Sequence, residues 1–215
     1  EHILYMPPLL TVRGNGAWAC FHANGMDMMD ARLAGDVIAK SPGLLVDWDG
    51  CLALDNRPGD AAISFLREHG SRVAILSNNS TLLPGDFVGI LAAHGVPFPE
   101  HRILLAGVEA LQCAAETAPA SVMILGAARM RDHAAHLGLR IVEKDAEVVV
   151  LLRDTELTLG RIEHAVNTLE AGARLIVANP DLTHPGPDGR LVPETGAILA
   201  SLLACVNVPP SQMQI

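Results

Sequence analysis

From Gly43 onward, short apolar runs alternate with longer stretches in which apolar positions recur at helical spacing. The short runs predict strands over 43–47, 72–77, 102–106, 121–125, 147–152 and 173–178. The longer stretches predict helices over 60–69, 85–94, 107–117, 127–137, 159–171 and 195–206. Four of these helices run into a glycine (Gly70, Gly95, Gly138, Gly172) and then an apolar run, the expected stop before the next strand. Glu147-Val148-Val149-Val150-Leu151-Leu152 is apolar almost throughout, as befits a parallel strand covered on both faces. Strands and helices in alternation predict an α/β fold.

The pattern breaks in a few places, and the breaks suggest an organisation. Asn179 to Glu194 carries four prolines and three acidic residues. An irregular stretch of that length inside a compact domain usually serves function or links domains. Pro84-Gly85 and Pro97-Phe98-Pro99 offer an earlier boundary. The expected division is an N-terminal extension over 1–42, a first part of the core over 43–100, an inserted domain over 101–185 and a return to the core over 186–215. Residues 1–28 hold a Pro-Pro pair, glycine breaks and no lasting periodicity, so this arm is expected to be poorly ordered or to lie outside the fold. The chain starts at Glu1 rather than methionine, which predicts a fragment or a processed product, and no secretory signal pattern is present. Met213-Gln214-Ile215 reads as the start of another strand.

Composition narrows the partners. Half of the 215 residues are hydrophobic and only 3% aromatic, so the core must be built from Ala, Val, Leu and Ile. A formal net charge of -9 argues against nucleic acid and anionic membrane as partners. No apolar run approaches the roughly 20 residues that span a bilayer, and the expectation is a soluble protein. Cys20, Cys51, Cys113 and Cys205 show no Cys-x-x-Cys spacing, which predicts reduced thiols and a cytoplasmic location. Lys40 and Lys144 are the only lysines, beside thirteen arginines.

The chemistry concentrates at the end of the first apolar run. Asp47 and Asp49 flank Trp48, and alternating strand geometry points the two carboxylates the same way. Gly50 then permits a sharp turn. A nucleophilic carboxylate, a helper carboxylate and a divalent cation to neutralise both would suit phosphate chemistry. The next strand ends in Ser77-Asn78-Asn79-Ser80-Thr81, and neighbouring parallel strands present their carboxyl ends on one edge. Ser77 would then offer a hydroxyl and an amide to phosphate oxygens beside Asp47. The plainer alternative is a polar turn capping the following helix.

Leu45-Val46-Asp47-Trp48-Asp49-Gly50 and Leu76-Ser77-Asn78-Asn79 resemble the first two motifs of the haloacid dehalogenase superfamily, in its NagD-like or pyridoxal phosphate phosphatase-like branch. Ala178-Asn179-Pro180-Asp181, His184-Pro185, Asp188-Gly189 and Pro193-Glu194-Thr195-Gly196-Ala197 extend the similarity through Ile215. Each motif is weak alone; their order and spacing carry the resemblance. It implies a three-layer, Rossmann-like parallel sheet core with the insertion as an α/β cap. It also implies a magnesium-dependent phosphomonoester hydrolase acting through an aspartyl-phosphate. In that reading Asp47 is the nucleophile and Asp49 the general acid and base. Mg2+ is held by the Asp47 carboxylate and the Asp49 main-chain carbonyl. Ser77 and the amides of Asn78 and Asn79 cradle the phosphoryl oxygens. His184 matches a substrate-contacting histidine, against the plainer reading of a loop histidine, whereas Asn179 and Asp181 read as structural, shaping a hinge. The substrate would be a small phosphorylated metabolite such as a sugar phosphate, phosphoglycolate, nucleotide or pyridoxal phosphate, and the cap of such proteins suggests a homodimer.

The chain also departs from the family pattern. A lysine in Gly-Lys-Pro and a later acidic Gly-Asp motif are implied but do not occur within these residues. The expectation is a core incomplete at its C-terminus, lacking roughly 50 or more residues on the scale of a domain, and inactive by itself. The rival expectation is a non-catalytic binding or regulatory protein of the same fold.

Three other patterns compete. Cys51 and Arg57 have the spacing of cysteine-based phosphatases, but the intervening Leu52-Ala53-Leu54-Asp55-Asn56 lacks glycines and Asp55 would repel phosphate. Gly14-Asn15-Gly16-Ala17-Trp18-Ala19 loosely fits a dinucleotide fingerprint without the strand and helix it needs. Cys20 and His22 could ligate a metal but have no second pair to complete a site.

Overall fold

The computed structural model describes residues 9–14, 17–22, 38, 40–186 and 190–215, the first two stretches as backbone alone. These residues form two compact units.

The first unit holds the described residues through Ser77 together with Pro84–Leu104. Its strands in chain order are β1 (Leu9–Gly14), β2 (Ala17–His22), β3 (Leu44–Asp47), the short pair β4 (Ala53–Leu54) and β5 (Arg57–Pro58), and β6 (Val73–Ser77). Helices α1 (Asp60–His69) and α2 (Pro84–Ala93) flank β6 in sequence, and β7 (Ile103–Leu105) completes a five-stranded sheet of order β2-β1-β3-β6-β7. β3 and β6 run parallel, with Asp47 opposite Leu76, as the predicted βαβ pattern requires. β1 and β2 fall where the sequence predicted no element. β1 lies antiparallel on the other side of β3, pairing Leu10 with Val46, and β2 pairs antiparallel with β1. Trp48 and Phe87 are fully buried in this unit with ring centroids 4.7 Å apart, an aromatic contact worth about 1 kcal/mol beyond its buried area.

The second unit holds Asn78–Leu83 and Leu105–Ile215. It contains α3 (Ala106–Glu116), β8 (Val122–Leu125), α4 (Ala128–His136), β9 (Val148–Leu151), α5 (Leu159–Glu170) and β10 (Arg174–Val177). A hairpin of β11 (Thr183–Pro185) and β12 (Leu191–Pro193) follows, then α6 (Thr195–Leu203) and β13 (Met213–Gln214). β13, β10, β9 and β8 form a parallel sheet in that order. Every residue of β8 and β9 is buried, which explains their unbroken apolar sequence. Alternate positions Met123, Leu125, Val149, Leu151, Leu175 and Val177 share one core with Ala165 and Leu169 of α5 and Leu199 and Leu202 of α6. One charged group is driven into this unit. The Asp154 side chain is 1% exposed and pairs with Arg161, which also donates Nη2 to Ile124 O at 2.5 Å. Thr158 caps α5 by accepting from Arg161 N.

Of the predicted glycine stops, Gly95, Gly138 and Gly172 take left-handed conformations, whereas Gly70 stays right-handed and opens a 3-10 turn to Arg72. The stretch predicted to be irregular contains the β11–β12 hairpin, with His184 opposite Val192. No helix among the described residues is long and apolar enough to cross a membrane.

Candidate active site

β3 ends at Asp47, and the chain turns through Trp48-Asp49-Gly50. Three amides, from Cys51, Leu52 and Ala53, converge on the Trp48 carbonyl at 3.3, 3.0 and 2.9 Å. Gly50 takes φ 78°, a left-handed conformation that a side chain would strain, and its amide reaches Ala53 O at 2.8 Å. The alternation inferred from sequence is visible in burial: Trp48 is buried, Asp47 is half-buried and Asp49 is exposed. Trp48 Nε1 donates to Asn56 Oδ1 at 3.2 Å, tying the turn to the β4–β5 hairpin. The two residues of that hairpin's turn, Asp55 and Asn56, both have positive φ, as a tight two-residue turn requires.

Ser77, at the end of β6, is buried, and its Oγ donates to Asp49 Oδ2 at 2.7 Å. Asp47, Asp49 and Ser77 therefore lie in the same unit, with the hydroxyl directed at Asp49. Cys51 has an exposed flank, yet its thiol is pushed up to about 11, first by desolvation of the sulfur and then by the Asp47 carboxylate. A thiol so raised is a poor nucleophile near neutral pH, which weighs against the cysteine-phosphatase alternative. Cys20 and His22 lie on β2, whose side chains fall outside the described residues.

The chain enters the second unit at Asn78. The Asn79 side-chain oxygen serves its own turn, accepting from Thr81 N at 3.0 Å and Leu82 N at 2.8 Å. Asn78 Nδ2 donates to Asp181 Oδ2 at 2.7 Å. His184, on β11, places Nδ1 2.8 Å from Glu194 Oε1, a charge contact when the imidazole is protonated rather than a well-aligned hydrogen bond. Glu194 also faces Arg153 Nε at 3.3 Å and accepts from Thr195 N at 3.2 Å. Burial nevertheless raises the Glu194 carboxyl above its ordinary value, outweighing Arg153, His184 and the Thr195 amide. Arg153, Glu194, Ser80 and Thr195 were given no role from sequence. Asp188-Gly189 lies outside the described residues.

A model for haloacid dehalogenase-like hydrolases matches residues 44–140, which include both aspartates and Ser77. A dihydroxyacetone phosphatase of Corynebacterium glutamicum is 27% identical over 170 residues, 77% of this chain and 62% of its own length. The 4-nitrophenylphosphatase of Thermotoga maritima superposes with a TM-score of 0.69 at 26% identity, over 79% of this chain and 66% of that one. The chain is thus similar over residues 44–140 to haloacid dehalogenase-like hydrolases, and its fold is similar to that of a putative NagD protein, with a TM-score of 0.68 at 27% identity. A further member of the fold, a glycerol phosphate phosphatase of Mycobacterium tuberculosis solved in complex with magnesium, matches with a TM-score of 0.68 at 25% identity, over 77% of this chain and 52% of its own. The chain thus spans less than two thirds of the dihydroxyacetone phosphatase that it matches.

Proposed function

We propose that this protein carries the nucleophile and acid–base half of a magnesium-dependent phosphatase acting on a small phosphorylated metabolite. The observation that carries the reading is the strand-end pair Asp47 and Asp49 with Ser77 Oγ held on Asp49 at 2.7 Å. An Asp47 oxygen attacks phosphorus, the bond to the ester oxygen breaks, and the Asp49 carboxyl gives its proton to the departing alkoxide. Water then attacks the aspartyl-phosphate and yields its proton to Asp49, releasing phosphate and restoring Asp47. Ser77 holds the Asp49 carboxylate in one orientation for both transfers. The backbone amides of Asn78 and Asn79, which follow Ser77 directly, bind phosphoryl oxygens.

The donor set suits magnesium. Two carboxylate-bearing residues with oxygen donors are what this ion takes from a protein when substrate phosphate and water complete its shell. No group of three or more His, Cys, Asp or Glu occurs among the described residues to suggest a softer or fully protein-bound metal. Asp47, through its carboxylate, and Asp49, through its main-chain carbonyl, would hold the ion, which supplies charge neutralisation at the phosphoryl group. The relatives' substrates (dihydroxyacetone phosphate, glycerol phosphate) favour a small polyol or sugar phosphate. In the gene's complete product, Asp47→Asn abolishes hydrolysis of such esters in the presence of magnesium. Retained turnover in that variant would overturn the reading.

A further inference from the structure

Asn78–Leu83, the segment that follows Ser77, is held within the second unit by buried polar groups from two distant stretches of chain. Asn179 is 2% exposed; its Nδ2 donates to Asn78 O at 2.8 Å and lies 3.4 Å from Thr195 Oγ1. Thr195 is fully buried, with Oγ1 3.3 Å from Ser80 Oγ, and Ser80 Oγ accepts from Arg153 N at 3.0 Å. The two bracing stretches are themselves locked together. Gly196 N donates to Asp181 O at 2.8 Å, and a Cβ on Gly196 would lie 2.2 Å from Pro180 O, an approach only glycine allows.

The bond to Asn78 O has a consequence one residue along. The Asn78 carbonyl and the Asn79 N–H belong to one planar trans peptide and point in opposite directions. Fixing the carbonyl on Asn179 therefore fixes where the Asn79 N–H is aimed. Asn179 is in turn oriented by its other acceptor, Thr195 Oγ1. Buried polar chains of this kind specify one geometry because each member loses a partner if any other moves.

We infer that Asn179 and Thr195 are positioning residues that set the Asn78–Asn79 peptide to receive a phosphoryl oxygen. The inference rests on the phosphatase reading above and adds to it two residues that touch no substrate atom. Its test is the affinity for inorganic phosphate, measured by calorimetry with magnesium present, in the gene's complete product, unaltered and as Asn179→Ala, Thr195→Val and Thr195→Ser, each with its melting temperature. Both the Asn179→Ala and Thr195→Val variants weaken phosphate roughly three- to tenfold, the equivalent of one net hydrogen bond. Thr195→Ser keeps the hydroxyl, gives up only a methyl group, and restores most of the affinity. It separates the lost bond from disturbed packing, since Val and Ser both alter the buried site. Unchanged affinity in both Asn179→Ala and Thr195→Val, or equal loss in Thr195→Val and Thr195→Ser, overturns the positioning role while leaving the phosphatase reading standing. An unaltered protein that binds no phosphate overturns the phosphatase reading and this inference with it.

Discussion

Ser77 Oγ donates to Asp49 Oδ2 across 2.7 Å, linking the ends of two strands whose pairing register stops one residue earlier, at Asp47 and Leu76. The bond gives Asp49, otherwise exposed on a turn, a defined carboxylate orientation. Ser77→Ala removes it without changing charge. The expected result is a fall in kcat of about 10–100-fold with a smaller change in KM, since positioning a proton-transfer group contributes on that scale. Steady-state kinetics on a phosphate monoester with the gene's complete product check it; an unchanged kcat would separate Ser77 from catalysis.

Cys51 provides a probe of the Asp47 charge. Its thiol is held up to about 11 by desolvation and by that carboxylate, so the thiolate is scarce at neutral pH. Alkylation of Cys51, followed by peptide mass spectrometry, should be slow near pH 8 and climb toward pH 11. Asp47→Asn removes the second cause, lowers the thiol and speeds alkylation at a given pH. Cys51→Ser should leave hydrolysis almost unchanged.

The buried Asp154–Arg161 pair makes an asymmetric prediction. Arg161→Leu strands a carboxylate whose side chain is 1% exposed, and removing one partner of such a pair costs about 3–5 kcal/mol. Replacing both, as Asp154→Leu with Arg161→Leu, should recover much of that loss. Urea denaturation of the two variants measures the difference, and a double variant less stable than the single one contradicts the account.

Glu194 sets a pH dependence. Its carboxyl is raised in the folded protein, chiefly by burial. The proton it retains stabilises the fold fully below the unfolded carboxyl value and progressively less as pH rises through the raised one. Compared with Glu194→Gln, the unaltered protein should therefore lose stability as pH climbs from the carboxylate range toward neutrality. Melting temperatures across that interval decide it; a parallel course for both proteins counts against a raised Glu194.

Much of this was legible in the sequence because burial on both sheet faces leaves an unbroken apolar signature. The strand predicted at 147–152 is β9 at Val148–Leu151, and the helix predicted at 60–69 is α1 over the same residues. The aspartate pair could be read because period-two geometry separates Asp47 and Asp49 from the buried Trp48 between them. β1 and β2 were missed for a specific reason. Asn15-Gly16, a usual hairpin signal, follows only a short alternating run, Leu10-Thr11-Val12-Arg13, and precedes one that is apolar through Phe21, so no lasting period marks either strand. Ser80, Thr195 and Arg153 could not be found at all from sequence. Their partners lie 73 and 115 residues apart along the chain, and no local pattern records a long-range hydrogen bond. Asn179 reads from the sequence as a structural residue shaping a hinge, and its contact with Asn78 O emerges from the fold alone.

Trp48 offers an optical consequence. It is one of two tryptophans in the chain, sealed from solvent against Phe87 and bonded on either side to Asp47 and Asp49. With Trp18 replaced by phenylalanine, the protein's ultraviolet emission would come from a single indole seated between the two acidic groups. Its blue-shifted fluorescence would then report on cations or phosphate arriving at those groups, with no label attached and no turnover required.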